Sequence, residues 1–401
     1  MSFRLARRLH GLPQPATIAM SAKARALRAA GVDVISLALG EPDFPSPPEA
    51  VEAAYQAGLR GDTKYPPVGG QPALKAAVAK KFLDENGLVY APEEILIGNG
   101  GKQLIYNAFA ATIDPGDEVI VPVPYWVSYP IIAQMMGGIP VPVPCLESDR
   151  FRLGAEALRA AITPRTRWLV LNFPNNPSGA ILERDDLEAI AAVLREAPHV
   201  LVMADEIYEH LTFDGRSHVS LASVAPDLKD RILTINGMAK AYAMTGWRVG
   251  FCGGPQPLIK AMTSIQSNAT SGICTLAQAG AVAALQTPPA RRDAMRDIYQ
   301  KRRDLVVSAL QGMRHVTCAM PEGAFYAFPG ITAALGRVTA GGRRLGSDID
   351  FAEALLDEAH VSVVPGSAFG QPGHIRLSVA ASDEVLREAC DRLSRFLETL
   401  H

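Results

Sequence analysis

The middle of the chain alternates between short apolar runs and longer amphipathic stretches, and this alternation constrains the fold more than any other feature. The apolar runs have the length of strands that are buried on both faces of a parallel sheet. They span residues 118–123, 168–173, 199–204 and 231–236, and helical patterns occupy residues 102–113, 184–196 and a long stretch from 257 into the low 300s. This order predicts an α/β fold with helices on both faces of the sheet.

The last third of the sequence has a different character and predicts a second, smaller α+β unit. Residues 361–364 and 374–379 are short strand candidates. Residues 383–400 predict an amphipathic helix, because apolar residues recur there at steps of three and four. We expect the boundary between the two units in residues 285–300, where two prolines precede a charge-rich stretch.

The charge balance argues against two broad classes of protein. The 401 residues include 39 basic and 41 acidic side chains, which gives a net charge of −2. Proteins that bind nucleic acids or membrane surfaces usually have a basic excess, so we expect neither partner. No run of 18 or more apolar residues occurs, and we therefore expect no membrane-spanning helix.

The cysteines and the first residues predict a cytoplasmic protein without a metal site. The five cysteines are odd in number and form no CxxC, so neither a disulfide framework nor a structural zinc site is indicated. The eight histidines include no HExxH. The N-terminus contains Arg4, Arg7 and Arg8 but lacks the apolar core of a secretory signal.

A lysine follows the strand predicted at 231–236, at the sheet edge where open α/β sheets bind ligands. Lys240 has small and apolar neighbours in the sequence. A lysine is most often exposed. If Lys240 is buried instead, its pKa falls and the neutral amine can react covalently with a carbonyl group. Arg248, eight residues later, is a candidate phosphate ligand because a guanidinium binds a phosphate with two donors.

Polar residues also follow the strand predicted at 199–204. Asp205 could be only a helix cap. Alternatively, its carboxylate could keep the nitrogen of a pyridine ring protonated, which would make the ring a strong electron sink. Tyr208 could then form a hydrogen bond with a phenolic oxygen of the same ring.

Two further turns have both an ordinary and a functional interpretation. The segment 173–179 has the composition of a tight turn, but an amide such as Asn176 would also suit a ring hydroxyl or a carboxylate. Gly100 and Gly101 end a strand and begin a helix, where backbone N–H groups can bind a phosphate. A pair of glycines is weak evidence when taken alone.

The order and spacing of these signals resemble those of the fold-type I aminotransferases that use pyridoxal 5′-phosphate (PLP). The chain looks most similar to the bacterial aspartate aminotransferase branch of class I, from about residue 12 to the C-terminus. The segments that carry the resemblance are ISLALGEPDFPSP (35–47), TKYPPVGGQPALKAAVA (63–79), GGKQLIYNAFAATIDPGDEVIVPVPYWVSYP (100–130), NFPNNPSGA (172–180), ADEIYEHL (204–211), NGMAKAYAMTGWRVGF (236–251), PEGAFY (321–326) and HIRLSVA (374–380).

The resemblance implies PLP as the cofactor, with Lys240, Asp205 and Tyr208 as catalytic residues. Lys240 would be joined covalently to PLP and would later act as the general base. Asp205 would pair with the pyridine nitrogen, and Tyr208 and Asn176 would hydrogen-bond the phenolic oxygen. Trp126 would lie against the face of the ring.

The resemblance also assigns the phosphate of PLP to a defined set of groups. Gly100, Gly101 and Arg248 match phosphate-binding positions, and Lys102 would contribute its backbone N–H. Tyr65 would reach the phosphate of the neighbouring subunit, so the active protein would be a homodimer.

For the substrate, the resemblance implies that Arg376 binds the α-carboxylate with two donors. In the aspartate branch a lysine at the position of Lys102 binds the side-chain carboxylate, helped by hydroxyl groups such as that of Thr17. The residues expected to contact the substrate are Gly40, Trp126, Asn176, Arg376, Lys102 and Thr17.

The fold implied by the resemblance has a large domain with a mixed, mostly parallel sheet and a smaller α+β domain. We predict that residues 46–290 form the large PLP-binding domain, and that residues 1–45 and 291–401 form the small domain.

The predicted activity is transamination between an L-amino acid, with aspartate or glutamate favoured, and a 2-oxo acid, by a ping-pong mechanism. Three alternatives remain open. The chain could prefer aromatic amino acids or prephenate, or it could be a PLP-dependent β-lyase or decarboxylase on the same fold. It could also be a non-catalytic regulator, although the expected DNA-binding domain and basic charge are missing from this sequence.

The sequence departs from the family pattern near the phosphate and near the substrate. Ala239 and Gly237 stand where many members have hydroxyl residues, and each loses a possible hydrogen bond to the phosphate, worth about 0.5–1.5 kcal/mol. We expect weaker cofactor retention as a result. Pro15 replaces a serine beside Thr17, which leaves the dicarboxylate preference less secure.

Overall fold

The computed structural model describes residues 6, 9 and 16–401, with the side chains of 16–18 left aside. The helices of the described residues are α1 (Ala16–Ala29), α2 (Pro48–Leu59), α3 (Pro72–Asn86), α4 (Gly101–Thr112), α5 (Ser128–Met135), α6 (Ala155–Ala161), α7 (Arg184–Glu196), α8 (Leu221–Val224), α9 (Gln256–Ala269), α10 (Thr275–Gln286), α11 (Ala290–Gln311), α12 (Asp348–Ala359) and α13 (Asp383–Glu398). The strands are β1 (Ile35–Ser36), β2 (Ile95–Asn99), β3 (Glu118–Val123), β4 (Ile139–Pro144), β5 (Thr166–Asn172), β6 (Leu201–Asp205), β7 (Ile232–Gly237), β8 (Val249–Gly253), β9 (Tyr326–Ala327), β10 (Val361–Ser362), β11 (Val364–Pro365) and β12 (Ile375–Ser378).

Seven of these strands form one sheet in the order β2-β8-β7-β6-β5-β3-β4. The strands from β7 to β4 are parallel to their neighbours, and β8 is antiparallel to both β7 and β2. The sheet is therefore mixed and mostly parallel, which confirms the predicted fold class. The edge position of β4 suits its sequence, because its three prolines cannot donate hydrogen bonds to a second neighbour.

Helices cover the two faces of this sheet and bury its apolar side chains. For example, α2 packs against α10 and α4 packs against α9. The strands read as continuous apolar runs because they are buried on both sides, and β3 is buried along its whole length. Among the described residues, none of the helices has the combination of length and apolar composition that spanning a bilayer requires.

The stretch predicted as helical from 257 into the low 300s is three separate helices, α9, α10 and α11. Pro288 and Pro289 separate the last two, since proline lacks the backbone donor that a helix interior needs. Gly272 lies in the first break, where a Cβ would come within 2.7 Å of the Pro66 ring. The prediction of one long helix was wrong at these two points.

A second group of elements has its own buried core. Strands β11, β12 and β9 form an antiparallel sheet, and β1 pairs in parallel with β10. The N-terminal segment and the C-terminal third thus share one core, which includes Leu37, Phe351 and Leu386. The division at 45/46 and 290/291 stays a prediction, and its second boundary falls at the start of α11.

The register of the large sheet brings the ends of three parallel strands to one level. Asn172 at the end of β5 is opposite Asp205 at the end of β6, and Asp205 is opposite Ile235 in β7. The chain leaves β7 three residues before Lys240. Side chains that are far apart in the sequence are therefore presented at the same edge of the sheet.

Glycine is required where the start of α4 approaches β8. A Cβ on Gly250 would lie 2.5 Å from the carbonyl carbon of Gly100 and from the nitrogen of Gly101. Gly237, opposite Gly250 in the register, has no room for a side chain either, because a Cβ would lie 2.9 Å from the Val249 oxygen. A hydroxyl side chain at position 237 would therefore require the neighbouring strand to shift.

We expect Gly250→Ala to destabilise the protein by about 1–3 kcal/mol, because a methyl group at this position overlaps backbone atoms that cannot move freely. The free energy of unfolding from denaturant titration measures this loss. Gly312→Ala is the matched control, since its Cβ would meet only ordinary contacts at 3.5 Å and its φ is already helical. Equal stability of the two variants would contradict this packing account.

Candidate active site

A cavity of about 460 Å³ opens at the carboxyl edge of the large sheet and is closed on the other side by the smaller unit. Of the predicted site residues whose side chains are described, one does not line it. Tyr65 is 96% exposed, and the side chain of Thr17, which is one turn before Ser21 on α1, lies outside the described residues. The predicted residues that line the cavity are Gly40, Gly100, Gly101, Lys102, Trp126, Asn176, Asp205, Tyr208, Lys240, Arg248 and Arg376.

Lys240 is in the wall of this cavity rather than on the outer surface. Its ammonium group donates a hydrogen bond to the carbonyl oxygen of Gly40 and lies 5.4 Å from the centre of the Phe325 ring. Burial and the nearby Arg376 lower the pKa of Lys240 to about 8. A useful fraction of the amine is therefore neutral near neutral pH, as a nucleophile or a base requires.

Asp205 is a buried carboxylate, 6% exposed, at the end of β6. The Tyr129 hydroxyl donates a 2.6 Å hydrogen bond to Oδ2, and the backbone N–H of Ile207 donates to Oδ1 at 3.3 Å. Burial raises the pKa of Asp205 to about 6, against the effect of these donors. A positively charged partner in the cavity would favour the ionised form.

Asn172, which sequence reasoning missed, connects two parts of the site. Its amide nitrogen donates to the Asp205 carbonyl oxygen at 3.1 Å, and its amide oxygen accepts from the Asn176 backbone N–H at 3.1 Å. The turn that contains Asn176 is thereby fixed against β6. Asn172 is the last residue of β5, as Asp205 is the last residue of β6. This position at a strand end was the sequence signal that could have identified it as a site residue.

Arg376 is 3% exposed and has no carboxylate within 4.0 Å among the described residues. Its two terminal nitrogens donate to the Asn176 side chain at 2.9 Å and to the Ala38 carbonyl oxygen at 2.6 Å. Its Nε has no hydrogen-bond partner. A buried cation with an unused donor is costly unless an anion binds, so this group has the properties of a carboxylate receptor.

The amino end of α4 forms a second anion-binding surface. Gly100 has a φ of +76°, and a Cβ there would lie 2.5 Å from the Arg248 guanidinium. Because Gly100 has no side chain, the Arg248 guanidinium can lie directly against the start of α4, and both line the same cavity. Lys102 lies 4.8 Å from the centre of the Trp126 ring, and burial together with Arg248 lowers its pKa.

Residues 32–393 match the family described as aminotransferase class I and II. The chain belongs to this family. Members use PLP, and this chain is a PLP-dependent aminotransferase of fold type I.

Individual relatives support the same assignment over almost the whole chain. The chain is 50% identical to the aspartate/prephenate aminotransferase of Cereibacter sphaeroides, with 95% of each chain covered. It is 47% identical to an aspartate aminotransferase of Rhizobium meliloti, covering 99% of this chain and 97% of that protein. The aspartate aminotransferase of Thermus thermophilus, solved with maleate, superposes with a TM-score of 0.92 at 43% identity, covering 99% and 100% of the two chains.

The cavity of this aminotransferase fits PLP by its own chemistry. Gly100 lets the Arg248 guanidinium lie against the start of α4, and a cation beside helix N–H groups suits a phosphate. Asp205 is a buried carboxylate of raised pKa, which suits a protonated ring nitrogen, and Lys240 is an amine of lowered pKa, which suits an aldehyde.

Two tyrosines that line the cavity were not assigned roles from the sequence. Tyr129 supports Asp205, and its ring meets Trp126 edge to face at 5.2 Å. Tyr326 contacts Tyr208, with 2.8 Å between the hydroxyl oxygens. Both belong to segments that carried the family resemblance. Their partners are 76 and 118 positions away in the sequence, so only the folded structure shows these contacts.

The raised pKa of Asp205 predicts a pH effect on the stability of the cofactor-free chain. Between the ordinary value of 3.8 and about 6, the folded state binds the proton more tightly than the unfolded state. The stabilisation is therefore present below pH 4 and is lost as the pH rises through 6. Relative to Asp205→Asn, the wild type should lose up to about 3 kcal/mol of unfolding free energy between pH 4 and pH 7.

Urea titrations at several pH values measure this difference. Asp227→Asn is the control of opposite sign, because Arg195 lowers the pKa of the exposed Asp227 and its contribution is lost as the pH falls. Parallel stability curves for the wild type and Asp205→Asn would contradict the buried state of this carboxyl group.

Proposed function

We propose that the chain transfers the amino group of aspartate or glutamate to a 2-oxo acid. The observation that carries the proposal is the presence of Lys240, an amine of lowered pKa, in the same cavity as the unpaired guanidinium of Arg376. One group has the properties of a base for the α-proton, and the other those of a receptor for the α-carboxylate.

Four residues would hold the ring of PLP. Lys240 would be its covalent attachment point, and Asp205 would keep its nitrogen protonated. Tyr208 and Asn176 would hydrogen-bond its phenolic oxygen. The support is that all four line one cavity and that Asp205 and Asn176 are both fixed through Asn172.

The phosphate would bind between α4 and Arg248, with backbone N–H groups of Gly100, Gly101 and Lys102 as donors. Trp126 would cover a face of the ring. This arrangement is supported by the positive φ of Gly100 and by the guanidinium beside it.

When bound, PLP supplies an electron sink for the pair left by removal of the substrate's α-proton. The chain's own groups do the remaining work. Arg376 binds and orients the α-carboxylate. Lys240 accepts the α-proton at Nζ and can return it, because its lowered pKa leaves the amine free to do so near neutrality. Asp205 stays ionised beside a positive ring nitrogen.

Lys102 would bind the second carboxylate of the substrate. It and Arg376 contribute positive charge to one cavity. The two bacterial relatives above are named for aspartate or for aspartate and prephenate, and the Thermus thermophilus enzyme was solved with maleate. Aspartate, prephenate and maleate all have two carboxyl groups. The β-lyase alternative is not favoured, since these relatives are named aminotransferases.

The active form would be a homodimer. Helix α2 exposes Val51, Tyr55 and Leu59 at intervals of four residues, which makes an apolar stripe that the described residues of one chain leave uncovered. Tyr65 follows the same helix and is almost fully exposed. A second copy of this chain would cover the stripe and receive Tyr65 at its phosphate site.

We also propose that the protein works in the cytoplasm. All five cysteines are free, and only Cys274 among them is exposed. Free thiols of this number suit a reducing compartment.

The substrate assignment predicts the effect of Lys102→Ala. Loss of a charged hydrogen bond should lower kcat/KM for aspartate and glutamate at least about tenfold and change kcat/KM for alanine and phenylalanine little. The measurement is a half-reaction panel, in which single amino acids are mixed with the PLP enzyme and its absorbance change is followed.

Lys260→Ala, an exposed lysine on α9, is the control and should leave every rate unchanged. Prephenate is included as an amino-group acceptor in the reverse half-reaction. Faster reaction with phenylalanine or tyrosine than with aspartate in the wild type would overturn the dicarboxylate assignment. A uniform loss across the panel would remove Lys102 from substrate recognition.

The homodimer predicts complementation between two inactive variants. Lys240→Ala and Tyr65→Ala should each have little or no activity alone. A mixed dimer has one site with Lys240 from one chain and Tyr65 from the other, so co-refolding equal amounts should restore up to about a quarter of wild-type activity. This fraction follows from half of the dimers being mixed, with one intact site of two. Absence of any recovery, in a mixture shown to be dimeric, would refute a shared site.

A further inference from the structure

Tyr326 lines the cavity, and the proposed function gives it no role. It is in β9, is 1% exposed, and belongs to the segment PEGAFY that carried part of the family resemblance. Its side chain lies against three other groups that line the same cavity. These are the hydroxyl of Tyr208, the guanidinium of Arg376 and the backbone of Gly40.

The first contact is a hydrogen bond between two phenols. The hydroxyl oxygens of Tyr326 and Tyr208 are 2.8 Å apart, and the rings meet edge to face at 5.9 Å. Either hydroxyl could be the donor on distance alone. The direction matters, because each phenol has a single proton and Tyr208 can give its proton either to Tyr326 or to a group in the cavity.

The other two contacts hold the Tyr326 ring in place. The Arg376 guanidinium lies 4.5 Å from the ring centre, which is a cation–π distance. Gly40 passes so close that a Cβ there would overlap the Tyr326 hydroxyl. The hydroxyl is thus confined between the Gly40 segment and Tyr208, with no freedom to turn away.

We propose that Tyr326 donates its proton to the Tyr208 oxygen, and so leaves the Tyr208 proton for the phenolic oxygen of PLP. The inference rests on the proposed function, since it needs PLP beside Tyr208. Tyr326 is then a positioning residue, which acts on the cofactor through Tyr208. It connects the carboxylate receptor Arg376 to the group that hydrogen-bonds the ring.

The proton count fixes this direction: once the single proton of Tyr208 is given to a group in the cavity, the 2.8 Å contact can form only with Tyr326 as the donor. Burial raises the pKa of both phenols, and the Arg376 charge opposes the rise at both. A phenol that accepts a hydrogen bond also becomes a stronger donor itself, because such chains are cooperative.

Tyr326→Phe tests the proposal by removing one oxygen and keeping the ring. With a weaker donor at Tyr208, the deprotonated phenolic oxygen of PLP is less stabilised. The pH midpoint of the visible absorbance of the bound cofactor should therefore rise by about half a unit or more. In a Tyr208→Phe background the same substitution should produce no further shift of the midpoint, because the Tyr208 hydroxyl through which Tyr326 acts is already absent.

Tyr299→Phe is the matched control. Tyr299 is also buried and its hydroxyl donates to Asp43 at 3.2 Å, but it does not line the cavity. Its absorbance midpoint should equal that of the wild type. An unchanged midpoint in folded Tyr326→Phe, or an equal shift in both variants, would overturn the proposal.

Gly40→Ala provides a second test that keeps both tyrosines. It tests the proposed hydrogen bond from Tyr326 to Tyr208 even if Tyr326→Phe does not fold. The new methyl group would displace the Tyr326 hydroxyl and should raise the midpoint in the same direction. No shift in Gly40→Ala would then overturn the proposal. Borohydride reduction separates this failure from a failure of the proposed function. If the wild-type label is found away from Lys240, the proposed function is wrong; if it is on Lys240 and the midpoints do not move, only the Tyr326 relay is wrong.

Discussion

Removal of the Lys240 amine from bulk water is the physical change on which the site depends. Water would hold this amine charged and unreactive near neutral pH, and burial shifts the balance toward the free base. The shift is reinforced by Arg376, whose positive charge disfavours a second cation in the same cavity. The Gly40 carbonyl oxygen gives the amine a hydrogen-bond acceptor and so fixes its position without neutralising it.

Three other charged groups of the cavity have no oppositely charged hydrogen-bond partner among the described residues. Arg376 lacks a carboxylate, Arg248 stands beside an open helix end, and Asp205 is buried with only neutral donors around it. Each of these groups costs free energy in the empty protein and becomes favourable with a ligand of opposite charge. A ligand with a positive ring nitrogen, a phosphate and a carboxylate, as in PLP with an amino acid, would satisfy all three.

The sequence predicted the residues that stand at strand ends, because parallel strands that alternate with helices must present their carboxyl ends at one edge. Lys240, Asp205 and Asn176 were found in this way. Their detailed roles came from the family resemblance, since a strand-end aspartate alone is compatible with a simple cap. The antiparallel direction of β8 and the breaks between α9, α10 and α11 were outside what the periodicity could show, because they are set by packing against other elements.

Tyr129, Asn172 and Tyr326 illustrate a different limit. Each acts on a residue that is far away in the sequence, and no local pattern states which tyrosine or asparagine will be the partner. The N-terminal helix adds a similar case, in which Ser21 and Arg25 line the cavity from a segment that was expected to contribute only Thr17. Such contacts depend on how distant segments pack together, and only the three-dimensional structure shows them.

The back of the site shows how the strand that leads to Lys240 is held at this meeting point. Glu209, the residue after Tyr208, accepts hydrogen bonds at 2.7 Å from Asn236 and from Asn86, and it forms a buried ion pair with Lys81. Burial alone would raise the pKa of Glu209, but the Lys81 charge holds it below its usual range. Asn236 in turn accepts from the backbone N–H that follows it at the end of β7. Because breaking one partner of a buried pair leaves an uncompensated charge, this anchor resists displacement. The segment of Tyr208 is thus fixed to the strand that leads to Lys240, which would suit a donor and a base that act on one cofactor.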